Sequence, residues 1–202
     1  MKDLSPKKSI LVKTISALVA CILALAVYIL LNRFIDQIGI YSTAGRLAIL
    51  LALALLIYTL TQKLLFRQLN KIEEALIAAA YALLIISGLF LRQSGRMFSF
   101  DFFNIGGYGF GLNPLSFIRE SRYDSSLMLV NILNVLLFVP LKPILAINRI
   151  RAPWWLVIIG FFVLELLQFV LGAGFFDLGD IVLYTGGFLI GLGIWRLVKW
   201  KK

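Results

Sequence analysis

Long apolar runs separated by short polar segments alternate along nearly the whole chain. Six runs are long enough to cross the hydrocarbon core of a bilayer, which takes roughly 20 apolar residues in a helix. They cover residues 10–31, 44–65, 72–91, 126–147, 153–171 and 178–198. The pattern predicts an all-α fold, a polytopic transmembrane bundle of about six helices.

Two of these runs carry additional signals. The first follows Lys2, Lys7 and Lys8, as in a signal peptide, but it exceeds the roughly 7–15 apolar residues of a signal core, so we expect an uncleaved helix. The fourth run contains Pro140 and Pro143 near its inner end. Proline removes a backbone donor, so this run is expected to kink or end early.

Composition supports a bilayer environment and excludes several kinds of chemistry. The 202 residues are 61% hydrophobic, and their mean hydropathy is +0.95. Such a chain has no room for a separate soluble domain. There is no histidine, which excludes histidine-based catalysis, and the single Cys21 cannot form an intrachain disulfide. We predict no cofactor and no metal site.

The basic residues predict the orientation. With both termini in the cytoplasm, fourteen of the 20 Lys and Arg residues border the cytoplasmic side, which is where the Lys/Arg excess normally lies. The other six are Arg33, Arg46, Arg92, Arg96, Arg119 and Arg122. This distribution favours cytoplasmic termini and a location in the cytoplasmic membrane. Contact with anionic lipids explains the net charge of +10, so no nucleic-acid partner is predicted.

The runs divide the chain into three regions. Residues 1–91 form a three-helix transmembrane region, residues 92–125 an extracytoplasmic interfacial loop, and residues 126–202 a second three-helix region. The loop contains four closely spaced phenylalanines, Phe98, Phe100, Phe102 and Phe103. They suit either an anchor at headgroup depth or a lid over a lipid-like ligand. Asn113-Pro114 is typical of a helix start, here of a short surface helix carrying Arg119 and Arg122.

Polar side chains concentrate in the last three runs. Glu165 is an acid inside an apolar run, and an acid in the hydrocarbon region is a functional candidate because its burial is costly. Gln168 shares its helical face, and the i, i+3 pair Asn131 and Asn134 lies at similar depth on the preceding run, where the two polar stripes can face each other. The full candidate ligand-binding set is Asn131, Asn134, Glu165, Gln168, Asp177, Asp180 and Tyr184, with Arg119 and Arg122 as countercharges. The alternative is that these groups only hold helices together.

Several of these residues form a pattern that resembles the VanZ-like family of membrane proteins. They are Phe162 to Gln168, Phe176 to Asp180 and Thr185 to Gly187, with Asn113 to Phe117 and Asn131 to Pro140 upstream. The E-x-x-Q and D-x-x-D spacing is the specific part, and the resemblance extends from about residue 113 to 191. The family is named after a protein associated with resistance to teicoplanin, which implies a role in the cell envelope.

The chain departs from the family pattern at three positions. Gly174, Tyr184 and Lys142 stand where the resemblance leads us to expect an arginine, an asparagine and a glycine. The missing arginine removes a natural partner for Asp177, Asp180 or an anionic ligand. A divergent member with a different ligand is one interpretation.

Three functional hypotheses follow. The preferred one is an envelope protein whose outward-facing polar pocket binds a lipid headgroup, a lipid-linked wall precursor or a lipoglycopeptide; it predicts a solvent-accessible Glu165. The second is an intramembrane enzyme using Glu165 or Asp180 as acid or base, although no catalytic motif is recognisable. The third is a scaffold without a ligand. The GxxxG pair Gly187 and Gly191 is assigned to close helix packing.

Overall fold

A computed structural model describes residues 6–66, 69–91 and 110–200 of the chain. Its helices are α1 Pro6–Gln37, α2 Thr43–Phe66, α3 Lys71–Phe90, α4 Ser116–Tyr123, α5 Ser125–Phe138, α6 Leu141–Ile147, α7 Trp154–Val170 and α8 Leu178–Trp200. Two short strands, β1 Phe110–Gly111 and β2 Phe176–Asp177, pair in parallel.

The helices confirm the all-α, polytopic membrane fold. Within the described residues, five segments are long and apolar enough to cross a membrane, with α5 and α6 together counted as one, and α7 is a shorter apolar helix. Each of the six predicted runs corresponds to one of these segments. The predicted interruption of the fourth run is also confirmed, since α5 ends at Phe138 and α6 starts after Pro140, which has no N–H to continue the ladder.

The first three helices pack in chain order, α1 on α2 and α2 on α3. Asn70 begins α3 with a capping box, in which its side chain accepts from the Glu73 N–H and the Glu73 carboxylate accepts from the Asn70 N–H. Glu73 is buried and lies 3.6 Å from Lys13 Nζ on α1. A buried acid was not expected in this half, but here its charge is paired at a helix end.

The later helices pack around α8, with α5 as its closest neighbour. A Cβ atom added to Gly187 would lie 2.1 Å from the Val135 carbonyl oxygen, and one added to Gly191 would lie 2.0 Å from that of Val139. These backbones approach so closely that only glycine fits. The assignment of the GxxxG pair to helix packing is therefore confirmed.

The two halves of the bundle enclose a cavity. Tyr81 on α3 donates a hydrogen bond to the Leu137 carbonyl of α5 at 2.9 Å. Beside this bond lies an apolar cavity of about 330 Å³ between α1, α2, α3 and α5. Exposed Leu31 and Leu136 lie among its lining residues, on α1 and α5, so the cavity borders the lipid-facing surface.

The predicted interfacial loop is described only in its last part. The phenylalanines assigned to an anchor or a lid, Phe98, Phe100, Phe102 and Phe103, lie outside the described residues. Downstream, the Leu115 N–H donates to the Asn113 side chain at 3.0 Å, and α4 begins at Ser116. The short helix predicted to carry Arg119 and Arg122 is therefore present.

Candidate functional site

Glu165 lies at the centre of the polar cluster. Its Oε1 accepts a hydrogen bond from the Tyr184 hydroxyl at 2.7 Å, and its Oε2 accepts one from the Asp177 N–H at 3.1 Å. The residue is 0% exposed, so the expectation of a solvent-accessible Glu165 is wrong. The chain folds back over the end of α7, and β2 and α8 cover the carboxyl group. Glu165 therefore holds the β2–α8 turn against α7.

Aromatic rings surround the hydroxyl that Glu165 binds. The Tyr184 ring lies 4.4 Å from that of Phe138 and 5.8 Å from that of Phe161, measured between centroids. All three residues are buried. Because packed rings leave Tyr184 little freedom, its hydroxyl stays directed at Glu165. Three packed aromatic rings thus border the cluster on one side, and the Tyr184 hydroxyl is its fixed hydrogen-bond donor there.

Asp177 caps α8 and also faces the loop that precedes α4. Its Oδ1 accepts from the Gly179 N–H at 2.7 Å, which satisfies a free donor in the first turn of α8. The Ser116 hydroxyl lies 3.5 Å from its Oδ2. A Cβ at Gly111 would lie 2.9 Å from the Asp177 carboxyl carbon, so glycine permits the close approach of β1. Asp177, the first aspartate of D-x-x-D, therefore stabilises the start of α8 and also contributes a carboxylate to the polar cluster.

Asp180 joins α8 to α5. Its Oδ1 accepts from the Asn134 side-chain amide at 2.8 Å, and Asn134 is only 2% exposed. As an acid in the first turn of α8, Asp180 also interacts favourably with the helix dipole. Asn131, one turn away, instead donates to the Ser121 hydroxyl of α4 at 3.0 Å. The two asparagines therefore bond to different helices.

Gln168 points away from the acids. Its Nε2 donates to the Leu89 carbonyl at the end of α3 at 2.8 Å, which ties α7 to the first half of the bundle. Its Oε1 is buried and has no hydrogen-bond partner within the described part of the chain. A buried acceptor without a donor is costly, and a water or a ligand donor would satisfy it.

The similar depth of the polar stripes on α5 and α7 led us to expect that the two stripes face each other. Instead α8 supplies the partner of each, since Asn134 reaches Asp180 and Glu165 reaches Tyr184. Arg119 and Arg122 are both exposed on α4. Among the described residues, neither forms an ion pair with Glu165 or Asp177.

The structure thus brings together Glu165, Tyr184, Asp177, Asp180 and Asn134 through α8. Sequence reasoning missed Ser116, which the Asn113-Pro114 helix start could have placed beside the site. It also missed the Leu89 carbonyl, for which no side-chain signal exists. In the described ranges, no group of three or more His, Cys, Asp or Glu side chains is placed to hold a metal ion.

The family model for VanZ/LLP1 matches residues 76–199, more than half of the chain. The protein belongs to the VanZ/LLP1 family. No curated protein matches the chain, and no solved structure does.

The VanZ/LLP1 match contains every candidate site residue. It extends from α3 almost to the end of α8, whereas the resemblance seen in the sequence covered only residues 113 to 191. Most of α3, from residue 76 onward, therefore lies in the matched region. This agrees with the hydrogen bonds that α3 makes to α5 and α7 through Tyr81 and Leu89.

Proposed function

We propose that this VanZ/LLP1 protein is a cell-envelope protein that binds one amphiphilic molecule. Its ligand is a membrane lipid, a lipid-linked cell-wall precursor or a lipoglycopeptide antibiotic. The polar headgroup contacts the cluster around Asp177 and Asp180, and the apolar chain occupies the cavity between the two halves. In this proposal Glu165 is a positioning residue beneath the headgroup. In the orientation predicted from the basic residues, the cluster faces the outer leaflet of the cytoplasmic membrane.

One observation carries this proposal: Asn134 belongs to both the cavity and the cluster. It lines the apolar cavity of about 330 Å³ and donates to Asp180 at 2.8 Å. A molecule in the cavity would therefore extend from apolar walls to an acidic group over a short distance. Known ligand pockets combine an apolar lining with a few placed polar groups in this way.

The chemistry of the cluster also restricts the headgroup. The carboxylate oxygens of Asp177 and Asp180 are hydrogen-bond acceptors, as their bonds from the Gly179 N–H and the Asn134 amide show. Such a set favours ligand groups that donate hydrogen bonds, such as hydroxyls, ammonium groups and peptide N–H groups. Sugars and peptides of wall precursors and lipoglycopeptides carry these donors.

The cavity can be tested by filling it. Gly88 lines the cavity, and a Cβ there would make an ordinary contact with Leu137 Cδ2 at 3.6 Å, so Gly88→Leu adds side-chain volume at the cavity wall. Gly160→Leu on α7 is the matched control, since nothing lies within 4 Å of its Cβ position. The protein is placed in nanodiscs with a lipid carrying a diazirine on its acyl chain. We expect Gly88→Leu to lower crosslinking to α1, α3 and α5 about fivefold or more, as loss of a filled pocket would. Equal crosslinking in both variants would contradict the proposal.

The envelope role can be tested in cells. Strains expressing wild type, Glu165→Gln or Gly88→Leu at matched membrane abundance are compared for susceptibility to teicoplanin and related lipoglycopeptides. We expect wild type to lower susceptibility and both variants to lose the effect. No difference between wild type and an empty vector would count against a lipoglycopeptide role. Turnover of a labelled lipid by the purified protein would instead identify an enzyme.

A further inference from the structure

A second cavity lies at the other end of α7, away from the polar cluster. It has a volume of about 650 Å³ and lies between α6, the α6–α7 connection and α8. Three cations line it, Lys142, Arg149 and Arg151, together with Pro153 and Trp195, and no acidic residue does. We call this set the basic cavity.

The charges of the basic cavity are not neutralised within the described part of the chain. Two ion pairs are found there, Lys13 with Glu73 and Arg46 with Asp36, and neither involves the basic cavity. Three like charges brought to one cavity repel one another, and a bound anion would remove that repulsion. The site therefore suits a phosphate group.

The backbone at Arg149 supports a role for its side chain. Arg149 has a φ of 59° and follows the last turn of α6, where its N–H donates to the Ala146 carbonyl at 3.2 Å. The next N–H, of Ile150, donates to the Leu145 carbonyl at 2.8 Å, which completes a helix-ending motif in which glycine is the usual residue. An arginine is disfavoured in this left-handed conformation, so its presence indicates a use for the guanidinium group.

The surroundings indicate a lipid rather than a soluble anion. Trp154 and Trp155 begin α7 beside the basic cavity and are 66% and 52% exposed. Tryptophan side chains at the end of an apolar helix favour the headgroup level of a bilayer. Exposed Ile150, which lines the cavity, provides apolar surface next to the cations. We infer that the basic cavity binds the phosphate of an anionic phospholipid, at a site separate from that of the proposed amphiphile.

The experiment compares lipid retention by the full chain in nanodiscs. Wild type, Arg149→Gly, Arg151→Gln and Arg33→Gln are reconstituted in phosphatidylcholine with or without phosphatidylglycerol, and retained lipid is counted by native mass spectrometry. Arg33→Gln is the control, since it removes an exposed cation of α1, outside the basic cavity. We expect Arg149→Gly and Arg151→Gln each to lower phosphatidylglycerol retention about fivefold, the factor for one cation near a lipid surface, and Arg33→Gln to leave it unchanged.

Two readouts keep the result interpretable. Arg149→Gly relieves the left-handed conformation, so its thermal midpoint in pure phosphatidylcholine should equal or exceed that of wild type. Equal phosphatidylglycerol retention by wild type and both cavity variants would overturn the proposal. Sodium phosphate raising the thermal midpoint in pure phosphatidylcholine as strongly as phosphatidylglycerol does would overturn the lipid assignment in favour of a soluble anion.

Discussion

The two halves of the bundle use polar groups in different ways. In α1–α3, charged side chains pair at the helix ends, as Lys13 does with Glu73, and in the interior the Ser87 hydroxyl bonds to the Gly45 carbonyl. In α4–α8, an acid deep in the bundle bonds to another side chain, as Glu165 does to Tyr184. A hydroxyl-to-backbone bond holds two helices together and places no charged or acidic group in the interior. The second half instead concentrates acceptor groups around one helix, α8, where we place the proposed ligand site.

The largest effect on stability is expected when the close packing of α8 against α5 is disrupted. Gly191→Ala would place a methyl group 2.0 Å from the Val139 carbonyl oxygen, and a backbone atom cannot easily move aside. We expect a loss of about 3 kcal/mol or more in unfolding free energy, the upper part of the overpacking range. Unfolding by titration with denaturing detergent measures it.

Gly193→Ala is the matched control for that experiment. It lies two residues further along α8, and nothing lies within 4 Å of its Cβ position. Its unfolding curve should stay close to that of wild type. If both variants unfold alike, α8 is not packed on α5 as described, and the central place given to α8 is lost.

A smaller effect is expected from the acid at the centre of the cluster. Glu165→Leu removes both acceptors that Glu165 offers, so the hydrogen bonds from the Tyr184 hydroxyl and the Asp177 N–H are lost. We expect a cost of about 2–3 kcal/mol in unfolding free energy. Glu165→Gln keeps one carbonyl oxygen and should cost less. The same detergent titration distinguishes them, and a Glu165→Leu protein as stable as wild type would mean that the acid does not hold the β2–α8 turn.

The membrane-crossing helices were predictable because each needs about 20 mainly apolar residues in a row. The predicted run 44–65 differs from α2, Thr43–Phe66, by one residue at each end. The first run was predicted too short, since α1 continues to Gln37 past Asn32 and Arg33. Those polar residues lie at a helix end, where they reach water or, like Asn32, accept from Arg46. Polarity therefore marks the edge of the bilayer and does not mark the end of the helix.

The polar cluster that forms the candidate site was predictable as a set of residues and not as a set of contacts. Glu165, Asp180 and Asn134 stand out because each is polar within an apolar segment, and their positions along the helices indicate similar depth. Depth does not give rotation about the helix axis, so the sequence could not show that α8 would supply a partner to both α5 and α7. Nor could it show that Gln168 would bond to a backbone carbonyl, since every residue has one.

The smallest predicted effects come from replacing a buried glutamine in each half. In the first half we expect the replacement to stabilise the protein, and in the second half to destabilise it. Gln62 on α2 is 0% exposed, and neither its Nε2 nor its Oε1 has a hydrogen-bond partner among the described residues. A buried amide without partners destabilises the folded state, so Gln62→Leu should stabilise the protein by about 1 kcal/mol.

Gln168→Leu is the matched substitution in the other half. There the change breaks the bond to the Leu89 carbonyl, so it should destabilise the protein, by about 0.6 kcal/mol as for an average interhelical bond in a membrane. Both values come from unfolding free energies measured in one detergent. Destabilisation by Gln62→Leu would mean that this glutamine has a partner of its own, and the first half would then contain a polar contact comparable to those around α8.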